Sequence, residues 1–224
     1  MDTDEIITTL HNWSLRFAES DTLSQVPEEW RPIARSEDPQ GRCRQALDLW
    51  NDDFLDLLPR FAATLRTRLV DVRAAFTDGC PVLVYALRAD NGAAVSWIGY
   101  HPGAFEEPRF WESFPQPLQD FLRTVHAGFV SGSRTSFGVA PPVHMETLAE
   151  LADFPDGIPG WTDTAGISST RLLRISSDGG ILYYCASPDI ERGKIALVYE
   201  GDIDPQDLGQ ELDELVTSRL RTGS

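Results

Sequence analysis

The sequence predicts a protein of the α+β class, and three observations carry the assignment. Apolar residues recur every three or four positions in several separate blocks, which is the spacing of half-buried helices. Between those blocks lie runs rich in Val, Ile, Leu and Tyr joined by Gly-containing turns, which read as hairpins and therefore as a mainly antiparallel sheet. The chain then closes on Leu212-Asp-Glu-Leu-Val-Thr-Ser-Arg-Leu220, an amphipathic stretch whose apolar face needs a surface to cover.

Residues 4–19 place Ile6, Ile7, Leu10, Trp13, Leu15 and Phe17 at mostly helical spacing, so a short amphipathic helix is expected there. Residues 20–41 carry Pro27, Pro32, Pro39 and Gly41 and read as a loop, pinned to the core by Trp30 and Ile33. From Arg42 to Phe76 the pattern is helical again, through Leu47, Trp50, Phe54, Leu57, Leu58 and Phe61 to Leu65, Leu69, Val72 and Phe76. Pro59 interrupts that run, giving two helices or one kinked helix. Thr77-Asp-Gly79 is expected to end it.

A strand pair follows, Pro81 to Leu87 and Ala93 to Tyr100, with Asn91-Gly92 as a two-residue hairpin signal. Helices are expected over Pro115 to Ala127, stopped by Gly128, and over Val143 to Phe154, with an irregular connection between them. Trp111 and Phe114 read as a hydrophobic staple onto the first of these helices. Trp161 anchors the turn cluster Asp156 to Gly160. Three strands, Arg171 to Ser176, Gly180 to Ala186 and Ile195 to Glu200, and a helix from Asp207 to Leu220 complete the chain.

At 224 residues, 42% hydrophobic and 24% charged, the chain suits one domain with an extension or two small ones. Met1-Asp-Thr-Asp-Glu5 has no basic or apolar leader, and no run approaches the roughly 18 apolar residues of a membrane span, so a cytoplasmic protein with no membrane partner is expected. Cys43, Cys80 and Cys185 are odd in number and widely spaced, which argues for buried free thiols rather than disulfides or zinc. The net charge is −16, with 35 acidic residues against 19 basic ones, of which Lys194 alone is lysine. A field of that sign repels phosphate backbones, which argues against nucleic acid, and speeds encounter with a basic partner.

No catalytic residue is assigned. Cys185 pairs with His126 or His144 only on paper, since it lies in an apolar strand and nothing electropositive flanks it. The serines lack a Gly-x-Ser-x-Gly elbow, and Val130 to Ser136 lacks a phosphate-loop signature. His11, His101, His126 and His144 are isolated, so no metal site is expected and no cofactor is implied. His126, at the end of its helix, suits the negative end of the helix dipole.

Two features point to recognition. Glu200, Asp202, Asp204, Asp207, Glu211, Asp213 and Glu214 follow one another with no basic residue between them. They form either a solvated helix capped by Asp204, whose early acids favour the dipole, or a face that docks a partner, because such dense like charge repels unless offset. Ser176-Ser-Asp-Gly-Gly-Ile-Leu-Tyr-Tyr184 forms a tight turn and then presents Tyr183 and Tyr184 to opposite faces, leaving one exposed as a potential interface anchor. The candidate partner-binding residues are therefore Tyr183, Tyr184, Glu200, Asp202, Asp204, Asp207 and Glu211.

From residue 110 to 222 the order of an entry helix closed by Gly, a short helix, a tight hairpin and a closing helix resembles the SUKH superfamily, the Smi/Knr group. Pro117, Leu118, Phe121 and Gly128 follow its entry-helix pattern, with Ala127 where Asn is common. Leu172 to Ile175, Ser176 to Gly180 and Ile181 to Cys185 look like its central apolar run, polar turn and second apolar run. The resemblance implies a SUKH-like twisted sheet flanked by helices at 109–224; residues 1–108 lie outside it and form either an N-terminal helical and hairpin extension or early elements of one larger sheet. It also implies a non-catalytic immunity protein that binds and neutralises a cognate bacterial toxin, for example a nuclease. The alternative within the same fold is a scaffold or regulatory protein with a host partner.

Overall fold

A computed structural model of the protein describes residues 3–10, 13–161 and 166–222. The start Met1-Asp2, His11 and the middle of the helix expected over 4–19 lie outside the described residues. The helices are α1 (Thr3–Thr9), α2 (Arg31–Arg35), α3 (Pro39–Leu47), α4 (Asp52–Leu57), α5 (Pro59–Arg68), α6 (Gln116–Thr124), α7 (Leu148–Leu151) and α8 (Leu208–Thr222). The strands are β1 (Leu15–Phe17), β2 (Leu69–Thr77), β3 (Cys80–Arg88), β4 (Ala94–Tyr100), β5 (Phe129–Val130), β6 (Leu173–Ser177), β7 (Leu182–Ala186), β8 (Lys194–Tyr199) and β9 (Asp202–Asp207). They make an α+β fold with two antiparallel sheets, ordered β1-β2-β3-β4-β5 and β6-β7-β8-β9.

Several expected helices end early. Leu15–Phe17 is not helical but pairs with Ala75 to Thr77 of β2. The long helix expected to Phe76 stops at Arg68, and Leu69–Thr77 is a strand. Strand and helix spacing coincide at Val72 and Phe76, a bulge between Leu69 and Asp71 absorbs the odd step to Leu69, and the β-branched Val70 and Val72 favour the strand. Pro59 opens α5 at its first turn, where its missing N–H costs nothing.

Thr77-Asp-Gly79, expected to end a helix, is instead the two-residue hairpin between β2 and β3, with Asp78 at φ 50 and Gly79 at φ 81. At the β3–β4 hairpin the expected two-residue Asn91-Gly92 turn is replaced by a longer loop. There the Gly92 N–H donates to the Ala89 carbonyl at 3.0 Å and only Gly92, at φ 81, is left-handed. The loop expected over 20–41 holds α2 and the start of α3, and Trp30 and Ile33 are buried as expected. The Val143 to Phe154 helix shrinks to α7, fixed by a Thr147–Glu150 capping box.

β3 explains the first sheet. From Val82 to Leu87 every residue is fully buried, because both faces are covered. Leu83, Tyr85 and Leu87 enter the main cluster under α3 to α6. Val82, Val84 and Ala86 meet Ile6, Leu10 and Trp13 on the other face. The one buried charge in β2, Asp71, 1% exposed, accepts hydrogen bonds from Arg42 Nε at 2.7 Å, Arg42 Nη2 at 2.9 Å and Arg73 Nε at 3.0 Å. This pairing ties α3 to β2 and satisfies a carboxylate that would otherwise be costly to bury.

His126, just past the end of α6 with its N–H donating to the Phe121 carbonyl at 3.0 Å, is buried among Trp50, Phe121 and Phe129 instead of presenting a charge to the helix dipole. Its Nδ1 lies 3.2 Å from the Tyr100 carbonyl and therefore donates, so Nε2, 2.8 Å from Tyr85 Oη, accepts. Trp50 Nε1 donates to the same Tyr85 oxygen at 3.3 Å, closing a buried chain. Burial holds the imidazole neutral, with its pKa down to about 3.

The two sheets are stitched by residues 137–140. Val139 exchanges both backbone hydrogen bonds with Phe129, at 2.7 and 2.8 Å. On the other side, Ala140 N–H donates to Ile175 at 2.8 Å and Phe137 N–H to Ser177 at 3.0 Å. The largest core cluster accordingly draws on residues from Val26 through Leu220. Cys43 and Cys185 are buried as expected, whereas Cys80, at the mouth of a hairpin, is exposed.

Candidate functional site

The second sheet positions the predicted recognition residues, and the two-residue period of a strand sorts them. In β7, Leu182, Tyr184 and Ala186 turn toward the main core, while Tyr183 and Cys185 join the cluster on the other face. Tyr184, 5% exposed, is therefore a core residue and not an interface anchor. Burial first, and then the neighbouring Glu211, push its phenol up to about 12. Tyr183 is half-buried on the outer face. The Cys185 thiol is fully buried and pushed well up by desolvation, which makes it inert, and it lies in a different cluster from His126.

Around Tyr183 the outer face forms an apolar dent of about 470 Å³. Tyr183 and its cross-strand partner Val198 form the floor, and Ile158, Trp161 and Ile181 form the walls. Ile181 is 55% exposed, a large apolar side chain left in solvent. The Trp161 indole is held in place by its Nε1, which donates to the Ile167 carbonyl at 2.9 Å. The remaining wall is the β8–β9 turn, Glu200-Gly201, both in the left-handed region at φ 50 and φ 93. The turn packs on Trp161 so closely that a Cβ on Gly201 would stand 3.9 Å from the ring. A left-handed Glu is uncommon and mildly strained, and here it sets the carboxylate on the rim of the dent.

Beyond that turn runs an acidic ridge. Residues 202–207, expected to lead into a helix, are the edge strand β9, paired to β8 from Tyr199↔Asp202 to Lys194↔Asp207. Pro205 and the acids are poor strand formers, but a sheet edge tolerates proline and uses charge to block pairing with other chains. Asp204 is therefore not the helix cap. Asp207 is, accepting from the Gln210 N–H at 2.8 Å.

Asp213 is buried and spent on structure, accepting from the Phe61 N–H at 2.8 Å and the Arg60 N–H at 3.1 Å at the start of α5. Glu214 lies 3.7 Å from both Arg60 and Arg221. Among the described residues, Glu200, Asp202, Asp204 and Glu211 have no cationic side chain within 4.0 Å. Glu211 feels this most: burial, then Glu214, Asp204 and Asp207, raise its pKa above the usual carboxylate value, against a smaller opposing pull from Arg60.

The structure thus brings Tyr183 and Glu200 together at one dent, while Asp202 and Asp204, opposite Tyr199 and Leu197, lie on the other face of the sheet with Glu211 of α8. It removes Tyr184 to the core and gives Asp207 a capping role. Ile158, Ile181 and Val198 were not singled out in sequence. Ile181, directly after Gly180 in a hairpin, carried the available signal, since the first residue of a strand beside a turn has little to cover it. Among the described residues no group of three or more His, Cys, Asp or Glu is placed to hold a metal ion. No described helix is long and apolar enough to cross a membrane. In comparisons with known proteins, no family model, curated protein or solved structure matches the chain.

Proposed function

We propose that the chain is a non-catalytic binding protein whose second sheet engages a positively charged protein, and that in a cytoplasmic setting it neutralises a cognate toxin, as the SUKH-like order of its elements implies. The supporting observations are the meeting of Tyr183 and Glu200 at one apolar dent and, along the edge strand of the same sheet, the carboxylates of Asp202 and Asp204. Long-range attraction to the ridge raises the association rate, and burial of apolar surface in the dent slows dissociation. A nuclease needs a positive groove for its substrate, so it offers the charge this ridge lacks.

Co-expression with the protein encoded beside it, scored by cell survival and by co-purification, tests the proposal. Survival only when the chain is present, with a complex that weakens in salt, supports it. Survival unaffected by the chain, or turnover of a small metabolite by the purified chain, overturns it.

A further inference from the structure

Resting on that reading of the second sheet, we infer that the dent receives a single aromatic or branched aliphatic side chain of the partner, carried on a short segment in which Lys or Arg flanks the anchor. The inside of the dent is carbon: the Trp161 ring, Ile181, Ile158, Val198 and the face of Tyr183. The indole is already fixed by its hydrogen bond to Ile167, so little order is lost when an apolar group lies against it. Rigid aromatic walls of this kind are where binding energy concentrates in protein interfaces.

Charge decides what stands around the anchor. The dent is walled by three segments, 158–161, 181–183 and 198–201, and none of them contains Lys or Arg. Glu200 stands on its rim, and Asp156 and Asp202 flank the first and third segments in the sequence. A cation beside the anchor therefore meets the Glu200 carboxylate and no cationic side chain among the residues that line the dent. A second copy of this chain is disfavoured as the occupant, because a net charge of −16 meets itself. Nucleic acid and anionic membrane surfaces are disfavoured by the same sign.

The probe is the peptide Ac-Lys-Arg-Gly-Phe-Gly-Arg-Lys-NH2, with one variant carrying Ala for Phe and another carrying Glu for every Lys and Arg. The full chain is labelled with 5-fluorotryptophan and followed by ¹⁹F NMR, the Trp161 signal being assigned through Trp161→Phe. The Phe peptide is expected to shift the Trp161 signal saturably. The Ala peptide should bind at least about tenfold more weakly, the loss expected for an unburied aromatic side chain. The Glu peptide should not bind, and Ile181→Asp should abolish the response to the Phe peptide.

Equal binding of the Phe and Ala peptides overturns the inference. If that equal binding disappears in Asp202→Lys/Asp204→Lys, the acidic ridge still attracts cations and only the dent is refuted. Saturable binding by no peptide also overturns the inference, and the co-expression experiment then decides the wider reading independently.

Discussion

The first sheet hides both of its faces and the second leaves part of one open, and this difference separates the part of the molecule that holds it together from the part that can meet another. In β3 successive residues enter two different cores, the buried carboxylate of Asp71 takes two arginines, and His126 spends both ring nitrogens on Tyr85 and Tyr100. Little there is left to interact with anything else. In the second sheet α8 covers one face, but on the other α7 and the segment leading to Trp161 stop short of Ile181. The neighbouring edge carries Asp202 and Asp204, which have no cationic side chain within 4.0 Å among the described residues. Paired charge marks the frame, and carboxylates without a cation near bare apolar surface mark the place of contact.

The contrast is broken most severely at the stitch between the sheets. A Cβ on Gly138 would stand 1.9 Å from the Phe129 carbonyl oxygen, a backbone atom that cannot move aside without breaking the seam. Gly138→Ala is expected to cost more than the usual ~1–3 kcal/mol of overpacking and to leave little folded protein in a urea titration. Wild-type-like stability would show that the two sheets are independent.

Next in size is the acid response of the frame. The His126 pKa is about 3 in the folded protein against 6.5 for the free side chain. Its stabilising contribution is therefore complete above the unfolded value of 6.5 and lost as pH falls toward about 3. The loss is on the order of 5 kcal/mol, at about 1.4 kcal/mol per unit. His126→Phe should be less stable at pH 7, because it leaves the Tyr85 hydroxyl without its acceptor and takes one of two N–H donors from the Tyr100 carbonyl, but should lose stability less steeply between pH 6.5 and 4. An unchanged slope in urea titrations would remove His126 from the account.

Changes on the second sheet should separate stability from binding. Ile181→Asp, at an exposed site, is expected to alter stability by no more than about 0.5 kcal/mol while raising the dissociation rate of a bound partner about tenfold or more. A destabilised but still binding variant would make Ile181 part of the frame. The smallest effect is at Glu211. Its pKa is raised, so its ionised form opposes folding, and stability from this group is present at low pH and lost as pH rises through the folded value. Glu211→Gln should stabilise the protein slightly at pH 7, by less than about 1 kcal/mol, with that gain vanishing in acid. Destabilisation instead would mean that Glu211 makes a favourable contact.

Much of the frame was legible in the sequence because apolar spacing reports burial directly. α6, α8, the β3–β4 hairpin and β6 to β8 lie close to where periodicity and turn residues put them. What failed has identifiable causes. Val72 and Phe76, four apart, satisfy both periods, and only their partners across the sheet decide between them. β9 was hidden because Asp202-Ile-Asp-Pro-Gln-Asp207 has the composition of a loop or helix start, and a sheet edge alone accepts it. The buried chain from Trp50 through Tyr85 to His126 joins residues 35 and 41 positions apart, which no local pattern reveals. Of the site, the acidic charge and Tyr183 were legible, whereas the dent was not, because its walls come from three separate segments.

The most direct measurement is the association rate of the full chain with the toxin encoded beside it, at 0.05 and 0.5 M NaCl, compared with Asp202→Lys/Asp204→Lys. Asp207 is left intact in that variant because it caps α8. Wild-type association should slow about tenfold or more across this range as the field is screened, while the variant should start slower and respond little to salt. Equal, salt-independent rates for both proteins would contradict the claim that the acidic ridge of the second sheet guides a basic partner to the molecule.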